Sequence, residues 1–184
     1  MPDLAGRKIS YLGYTGPIDS NGVGRIAAAL NTAVNNSFDE AQLCFSSLGG
    51  YVSDGIYLYN HIRALPIDVV IHNTGSVSSI AVTVFVAGHE RYCSPHAMFM
   101  IHPTVMPPQE GMTSERLQSS LNAALADDTR TENILRERAA IPEEILVARR
   151  FKDVYITPKE AVIYGLVHGV KDFSLPKGHQ IIEI

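Results

Sequence analysis

The chain of 184 residues has only two cysteines, Cys44 and Cys93, and no long uninterrupted apolar run. Two cysteines do not form the disulfide framework of small secreted domains, so we expect buried, reduced thiols. Charged or histidine residues interrupt each apolar segment well before the length of about 18 residues that a membrane-spanning helix needs. The first residues, MPDLAGRK, also lack the apolar core of a secretory signal peptide. We therefore expect a cytoplasmic protein.

Strongly basic segments are missing as well. The chain has 19 acidic and 15 basic residues, a formal charge of −4, and no Lys/Arg-rich stretch interleaved with aromatic residues. This composition predicts binding neither to nucleic acid nor to an anionic membrane. Apart from His102, no histidine forms an i, i+4 pair with another histidine or a cysteine on a convincing predicted helix, so we expect no metal site and no cofactor.

Short apolar segments alternate with amphipathic ones along the chain, which predicts an α/β fold in one domain covering residues 1–184. The predicted strands span residues 8–16, 41–45, 68–72 and 97–101, and a final edge segment begins at residues 167–170. Residues that typically cap helices precede the amphipathic segments, namely Asp19 or Ser20, Ser53, Thr113 or Ser114, and Thr157 with Pro158 and Glu160 in a capping box.

The segment from residue 113 to residue 140 is longer than the other predicted helices and rich in charge. Its apolar residues recur in one stripe that includes Leu117, Leu121 and Leu125. A solvated helix with one buried face explains this pattern. A projecting helix that packs on another subunit explains it equally well.

The region from Gly75 to His102 is the one around which the rest of the chain is expected to be organised. Ser79 precedes an apolar run over residues 80–87, whose composition fits either a strand or a buried helix. A serine at this position is commonly a helix N-cap, because its oxygen accepts from free backbone N–H groups. The same position would also suit a nucleophilic hydroxyl.

Serine hydrolysis needs a hydroxyl, a base, a carboxylate that orients the base, and backbone donors for the oxyanion. Ser79, His102 and Asp153 supply the three side chains. The Gly49-Gly50 pair after a predicted strand could supply N–H donors, and so could Ile80 if Ser79 begins a helix. Separations of 23 residues (102 − 79) and 51 residues (153 − 102) do not by themselves bring the three side chains together.

Four segments occur in an informative order: Ser47–Gly55 (SLGGYVSDG), Gly75–Ile80 (GSVSSI), Met100–His102 (MIH) and Glu160–Val167 (EAVIYGLV). They resemble the segments Ser-Pro-Gly-Gly, Gly-Gln-Ala-Ala-Ser-Met, Met-Ile-His and Glu-Ala-Val-Glu-Tyr-Gly-Leu of the proteolytic subunit of the Clp (caseinolytic) protease. The resemblance extends from about residue 8 to about residue 170.

The resemblance implies a Clp/crotonase-like superhelix of ββα units with a protruding handle helix, the handle region being about 104–140. It makes the apolar run after Ser79 a buried helix. It assigns the nucleophile to Ser79 rather than Ser78, the base to His102 and the carboxylate to Asp153, counted back from Glu160.

The resemblance further implies that the N–H groups of Gly50 and Ile80 form the oxyanion hole. The substrate would bind as an extended strand between two segments of the chain. One segment contributes Gly49, Tyr51 and Val52, and the other contributes Gly111. The implied function is a serine endopeptidase that cleaves peptides or unfolded polypeptides inside a ring-shaped homo-oligomer, in the family a pair of stacked heptameric rings.

The chain departs from the family pattern at Leu48, Ile80 and Ala81, where Pro, Met and Gly are usual. Its first predicted strand begins near residue 8, so the family's N-terminal axial-pore segment and first helix are expected to be largely missing. That disfavours an ATPase unfoldase as a partner. Two other functions stay open: a non-catalytic ring-forming scaffold, and a crotonase-type acyl-CoA enzyme. The presence of all three triad residues argues against the scaffold, and an acyl-CoA enzyme would not need them.

Overall fold

The computed structural model describes residues 6–106 and 110–184 of the chain. Predictions for residues 1–5, and for residues 107–109 within the expected handle region, lie outside the described residues. The strands are β1 (Ile9–Thr15), β2 (Glu40–Ser47), β3 (Asp68–Ser78), β4 (Glu90–Cys93), β5 (Met98–Ile101), β6 (Val154–Ile156), β7 (Gly169–Val170) and β8 (Ile182–Glu183). The helices are α1 (Ser20–Asn35), α2 (Val52–Ala64), α3 (Ile80–Phe85), α4 (Ser114–Arg138), α5 (Glu143–Ala148) and α6 (Pro158–Ile163).

The strands of the described residues form one mixed sheet in the order β6-β5-β3-β2-β1-β8, with β4 pairing with β3 and β7. The pairs are parallel except for the antiparallel pair of β5 and β6. Parallel neighbours require crossover connections, which α1 and α2 provide between the first three strands. This mixed α/β architecture confirms the predicted Clp/crotonase-like fold class.

Local capping signals set several helix boundaries. Asp19 caps α1 by accepting from the N–H of Gly22 at 2.7 Å, and Thr157 and Glu160 form the predicted capping box of α6. The prediction that Ser53 caps α2 is wrong, because the helix already begins at Val52. The preceding residue, Tyr51, has its N–H bonded to the carbonyl of Ile18 at 2.8 Å, so a contact between distant segments fixes this entry.

The core lies between the sheet and the helices, and α3 is its most enclosed element. Every residue of α3 is buried, which agrees with the helix expected after Ser79. Both cysteines are free thiols, with Cys93 buried and Cys44 half-buried. By contrast, α4 exposes Leu117, Leu121 and Leu125 by 55%, 47% and 54%. Within the described residues, no helix has both the length and the apolar character to cross a membrane.

The C-terminal segment packs across the outer part of the sheet. Phe173 lies edge-on to Tyr11 and His72, and β8 pairs with β1. His72 is buried and stacks on Tyr92, and its Nδ1 atom has no hydrogen-bond partner among the residues that the structure describes. Burial, together with the nearby charge of Lys171, lowers the pKa of His72 to about 4, although Glu90 partly opposes this shift.

We expect the free energy of unfolding to fall as the pH decreases from 6.5 towards 4, because the unfolded chain then binds a proton on His72 that the folded chain excludes. One such histidine contributes a slope of at most about 1.4 kcal/mol per pH unit. Urea denaturation at several pH values should show a shallower slope for His72→Phe. The matched change at the exposed His96, His96→Phe, should keep the wild-type slope. An equal slope in the two variants would contradict this assignment.

Candidate active site

Ser79 occupies the turn between β3, which ends at Ser78, and α3, which begins at Ile80. Its backbone has φ 59° and ψ −134°, a conformation that non-glycine residues rarely adopt and that costs about 1–3 kcal/mol. The turn is held by a 2.8 Å hydrogen bond from the Ser79 N–H to the carbonyl of Met100. Although Ser79 occupies the N-cap position of α3, its side chain makes no capping hydrogen bond. The hydroxyl is therefore available for another partner.

That partner is His102, the residue that follows β5. Its Nε2 atom lies 2.8 Å from the Ser79 Oγ atom. The second half of β3 pairs in parallel with β5, with Ser78 opposite Met100, so the two strands present Ser79 and His102 at the same edge of the sheet. A neutral imidazole whose Nε2 carries no proton can accept the hydroxyl proton. Ser78 itself is buried within β3.

A change of partner strand along β3 makes this pairing possible. The first half of the strand pairs with β4 and the second half with β5. Asn73, which is fully buried, bridges the change of partner: its Nδ2 donates to the carbonyl of Met98 and its Oδ1 accepts from the N–H of Gly75, both at 3.0 Å. Ser46 of β2 accepts from the N–H of Ser76 at 3.3 Å where the β2–β3 register shifts.

The Gly49-Gly50 segment lies directly against the Ser79 turn. Gly49 has φ 103°, and a Cβ atom there would be 2.6 Å from the Cβ of Ser79, so only glycine fits. A Cβ atom at Gly50 would lie 2.1 Å from the carbonyl oxygen of Ile18. That oxygen accepts from Tyr51 rather than from Gly50. The N–H of Ile80 is the first of α3 and has no partner inside the helix.

Asp153 precedes β6, and the antiparallel pairing of Ile101 with Val154 places it opposite His102 in the register. The side chain of Asp153 is exposed, and the described residues show no hydrogen bond between it and His102. The fold thus brings the two backbones together and leaves the carboxylate outside the Ser79–His102 pair.

A cavity of about 100 Å³ opens beside the serine and the histidine. Of the predicted substrate-binding residues, Val52 lines it, whereas Gly49, Tyr51 and Gly111 do not. The lining combines backbone and apolar groups near the serine with polar groups at the far side: Gly50, Val52, Ser79, Ile80, Thr83, Ile101, His102, Pro103, Thr104, Val105, Asp128, Thr131, Leu135 and Arg149.

The polar far side of the cavity was not found from the sequence. Asp128, Thr131 and Glu132 stand three and four residues apart on α4, a spacing that places them on one helix face and could have signalled a polar stripe. Arg149 is 3% exposed, yet it lies in a charged stretch beside the exposed Arg150. Nothing in that stretch distinguishes a buried arginine from a surface one.

Glu132 is the most heavily paired buried charge near the cavity. Arg150 donates to both of its carboxylate oxygens, at 2.8 and 2.6 Å, and Arg136 adds a bond at 3.2 Å. The hydrogen bonding with Arg150 holds the pKa of Glu132 below its usual value despite burial. In the part of the chain that the structure describes, no group of three or more His, Cys, Asp and Glu side chains is arranged to bind a metal ion.

Comparison with known proteins gives a consistent result. The chain is 31% identical to the ATP-dependent Clp protease proteolytic subunit 2 of Chlamydia muridarum over 135 residues, which are 71% of this chain and 64% of that protein. It is 24% identical to the ATP-dependent Clp protease proteolytic subunit 2 of Pseudomonas aeruginosa over 177 residues, 92% of this chain and 86% of that protein. The match thus spans slightly less than two thirds of the chlamydial relative's length.

The model of the family described as Clp protease matches residues 7–173, a range that contains all four motif segments and the Ser79–His102 pair. This match covers most of the 184 residues. The chain therefore belongs to the Clp protease family.

Proposed function

We propose that the chain is a serine endopeptidase that cleaves peptides or unfolded polypeptides. The observation that carries the proposal is the 2.8 Å contact between the Ser79 hydroxyl and the His102 imidazole, held at the ends of two neighbouring strands. A nucleophile paired with a base in this way is the arrangement that serine hydrolysis requires.

In the proposed reaction, Ser79 Oγ attacks the carbonyl carbon of the scissile peptide bond while His102 Nε2 takes the hydroxyl proton. The carbonyl oxygen becomes an oxyanion, which the N–H groups of Gly50 and Ile80 bind. Collapse of this intermediate breaks the C–N bond, and His102 delivers the proton to the leaving amine. Water, deprotonated by His102, then hydrolyses the acyl-enzyme and regenerates the serine.

Asp153 is the proposed orienting carboxylate. Its position opposite His102 in the β5–β6 register supports this role. Because its side chain is exposed, a rotation about its own side-chain bonds would be needed to bring the carboxylate to the Nδ1–H of His102. Once bonded there, it would keep the imidazole in the tautomer whose Nε2 accepts a proton.

The substrate is proposed to bind as an extended strand. Main-chain hydrogen bonds to the segment from Gly49 to Val52 on one side, and to the Gly111 region on the other, would position the scissile bond without reading its sequence closely. Leu48 and Tyr51, exposed by 77% and 69%, flank Gly49-Gly50 and could contact substrate side chains.

Assembly is the second part of the proposal. The exposed leucine stripe of α4 is an apolar surface on an otherwise polar helix, and such surfaces commonly mark subunit contacts. We propose a homo-oligomer in which α4 contacts another copy, with the stacked rings of the family as its form. The relatives named above are ATP-dependent by name; peptide hydrolysis by a triad is itself downhill and does not require a nucleotide.

Ser79→Ala should abolish both peptide hydrolysis and labelling by a fluorophosphonate probe, because the hydroxyl is the nucleophile. Loss of a triad member typically costs several orders of magnitude in rate. Ser78→Ala, the matched control one residue earlier, should keep most of the activity. Kinetics with a fluorogenic peptide and mass spectrometry of the labelled residue test this. If the probe labels neither Ser79 nor any other residue of the wild type, the scaffold alternative gains support.

Asp153→Asn should lower kcat by about 10³–10⁴, because an amide would favour the wrong tautomer of His102. This magnitude is taken by analogy from the best-studied serine protease triad. Asp172→Asn, a change at another exposed aspartate, should have no effect. A kcat for Asp153→Asn within a factor of ten of the wild type would remove Asp153 from the triad.

The double change Leu121→Glu with Leu125→Glu should reduce the native mass of the assembly, because four-residue spacing places both charges in the α4 stripe. The control Ser119→Glu with Ala123→Glu adds the same charge to the opposite face of the helix and should leave the mass unchanged. Sedimentation velocity at micromolar concentration measures both. A wild-type monomer under these conditions would contradict the proposed contact.

A further inference from the structure

Strand β5 ends just before His102. Two residues later, Thr104 is held by side-chain hydrogen bonds to α4. The N–H and the Oγ1–H of Thr104 both donate to the same carboxylate oxygen of Asp128, at 2.7 and 2.9 Å. Asp128 belongs to α4, so two hydrogen bonds join the chain just after the candidate base to a helix on the other side of the cavity. Hydrogen bonds to an ionised acceptor are stronger than those between neutral groups.

Asp128 also contacts the buried side chain of Arg149. The Nη2 atom of Arg149 lies 3.4 Å from the same Asp128 oxygen and 3.2 Å from the Oγ1 atom of Thr131. The buried Glu132 lies 3.5 Å from the Arg149 Nε atom. The Arg149 side chain is 4% exposed, so it is packed inside the domain rather than extended into solvent. The carboxylate of Asp128 therefore sits between Thr104 on one side and a fixed positive charge on the other.

Pro103, which lies between His102 and Thr104, links the Thr104–Asp128 contact to the position of the His102 imidazole. Pro103 has a fixed φ and restricts the preceding residue, His102, to extended conformations. With so little backbone freedom across Pro103, fixing Thr104 also fixes the direction in which the His102 side chain leaves the chain. The 2.8 Å contact to Ser79 depends on that direction.

We propose that Asp128 and Thr104 are positioning residues of the peptidase: their paired hydrogen bonds hold His102 within bonding distance of Ser79. The inference rests on the proposed function. Neither residue needs to touch the reacting atoms. Their effect on rate follows from geometry, since a displacement of about 1 Å in a catalytic group can cost about 100-fold.

A purely structural role for the same contact makes a different prediction. If Asp128 only joins α4 to the rest of the fold, its loss should reduce the fraction of folded, competent molecules while each competent molecule reacts at the normal rate. If it positions His102, every molecule should remain competent and react more slowly. The end point and the rate constant of covalent labelling separate these cases, because the first counts sites and the second measures their reactivity.

The experiment compares Thr104→Val, Thr104→Ser, Asp128→Ala and the control Asp127→Ala in the assembled protein. Valine keeps the shape of threonine and removes only the Oγ1–H donor, so it should fold even if Asp128→Ala does not. Serine restores the hydroxyl. Asp127 carries a carboxylate on the same turn of α4 and pairs with Arg130 on the helix surface. Each protein is labelled with a fluorophosphonate probe and assayed with a fluorogenic peptide.

We expect Thr104→Val to lower the labelling rate constant and kcat together by about 10- to 100-fold, with the labelling end point and KM close to the wild-type values. Thr104→Ser should recover to within a few-fold of the wild type, and Asp127→Ala should match it. Wild-type rates in Thr104→Val, or a reduced end point with an unchanged rate constant, would overturn the positioning role while leaving the proposed function intact. Absence of labelling in the wild type would overturn the proposed function and the positioning role with it.

Discussion

The strand-to-helix turn at Ser79 is the constraint on which the rest of the site depends. A serine with φ 59° keeps that conformation only where its surroundings enforce it, and here they do so from three sides. The carbonyl oxygen of Met100 accepts a hydrogen bond from the Ser79 N–H, Gly49 packs closely against the Ser79 Cβ atom, and every residue of α3 is buried, which restrains the turn. In this conformation the Ser79 hydroxyl makes no capping hydrogen bond and lies 2.8 Å from the His102 Nε2 atom instead. The pairing of Ser79 with His102 is thus a consequence of backbone geometry.

Much of this fold was accessible from the sequence wherever a feature is local. The Asp19 cap, the capping box at Thr157 and the long helix after Thr113 all rest on residues within one or two turns of each other. The short strands β4, β6 and β8 are not predicted from the sequence, since segments of two to four residues show at most a weak alternating pattern. The start of α2 was misplaced for another reason, since Ile18, 33 residues before Tyr51 (51 − 18), fixes it. The roles assigned to Ser79 and His102 came from motif resemblance, and their contact exists only because β3 exchanges β4 for β5 halfway along its length.

Buried charges in this fold divide into those that bind the frame together and those that border the cavity. Arg91 is of the first kind: it donates to the carbonyls of Gly88, Leu166 and Arg138 at 2.9–3.2 Å, tying the ends of α3, α6 and α4 to one point. Burial lowers its pKa to about 10, so it stays charged at neutral pH. Asp128, which is only half-buried, borders the cavity. Together they anchor the C-terminal half of α4 to the domain, whereas the half that carries the leucine stripe points its apolar side chains outward.

The three candidate catalytic side chains differ in how strongly the surrounding structure restrains them, because their segments lie at different places in the sheet. Ser79 and His102 follow strands that have neighbours within the sheet, whereas Asp153 precedes a three-residue strand at the sheet edge. Phe151 and Tyr155, on either side of Asp153, are exposed by 83% and 62%, so few contacts within the chain restrain this segment. The position of the Asp153 carboxylate is therefore set mainly by rotation about its own side chain. The restraint that we propose for His102 comes instead from the opposite direction, through Pro103 and Thr104 to Asp128. With that restraint, His102 would keep its distance to Ser79 whether or not the edge strand has brought the Asp153 carboxylate into place.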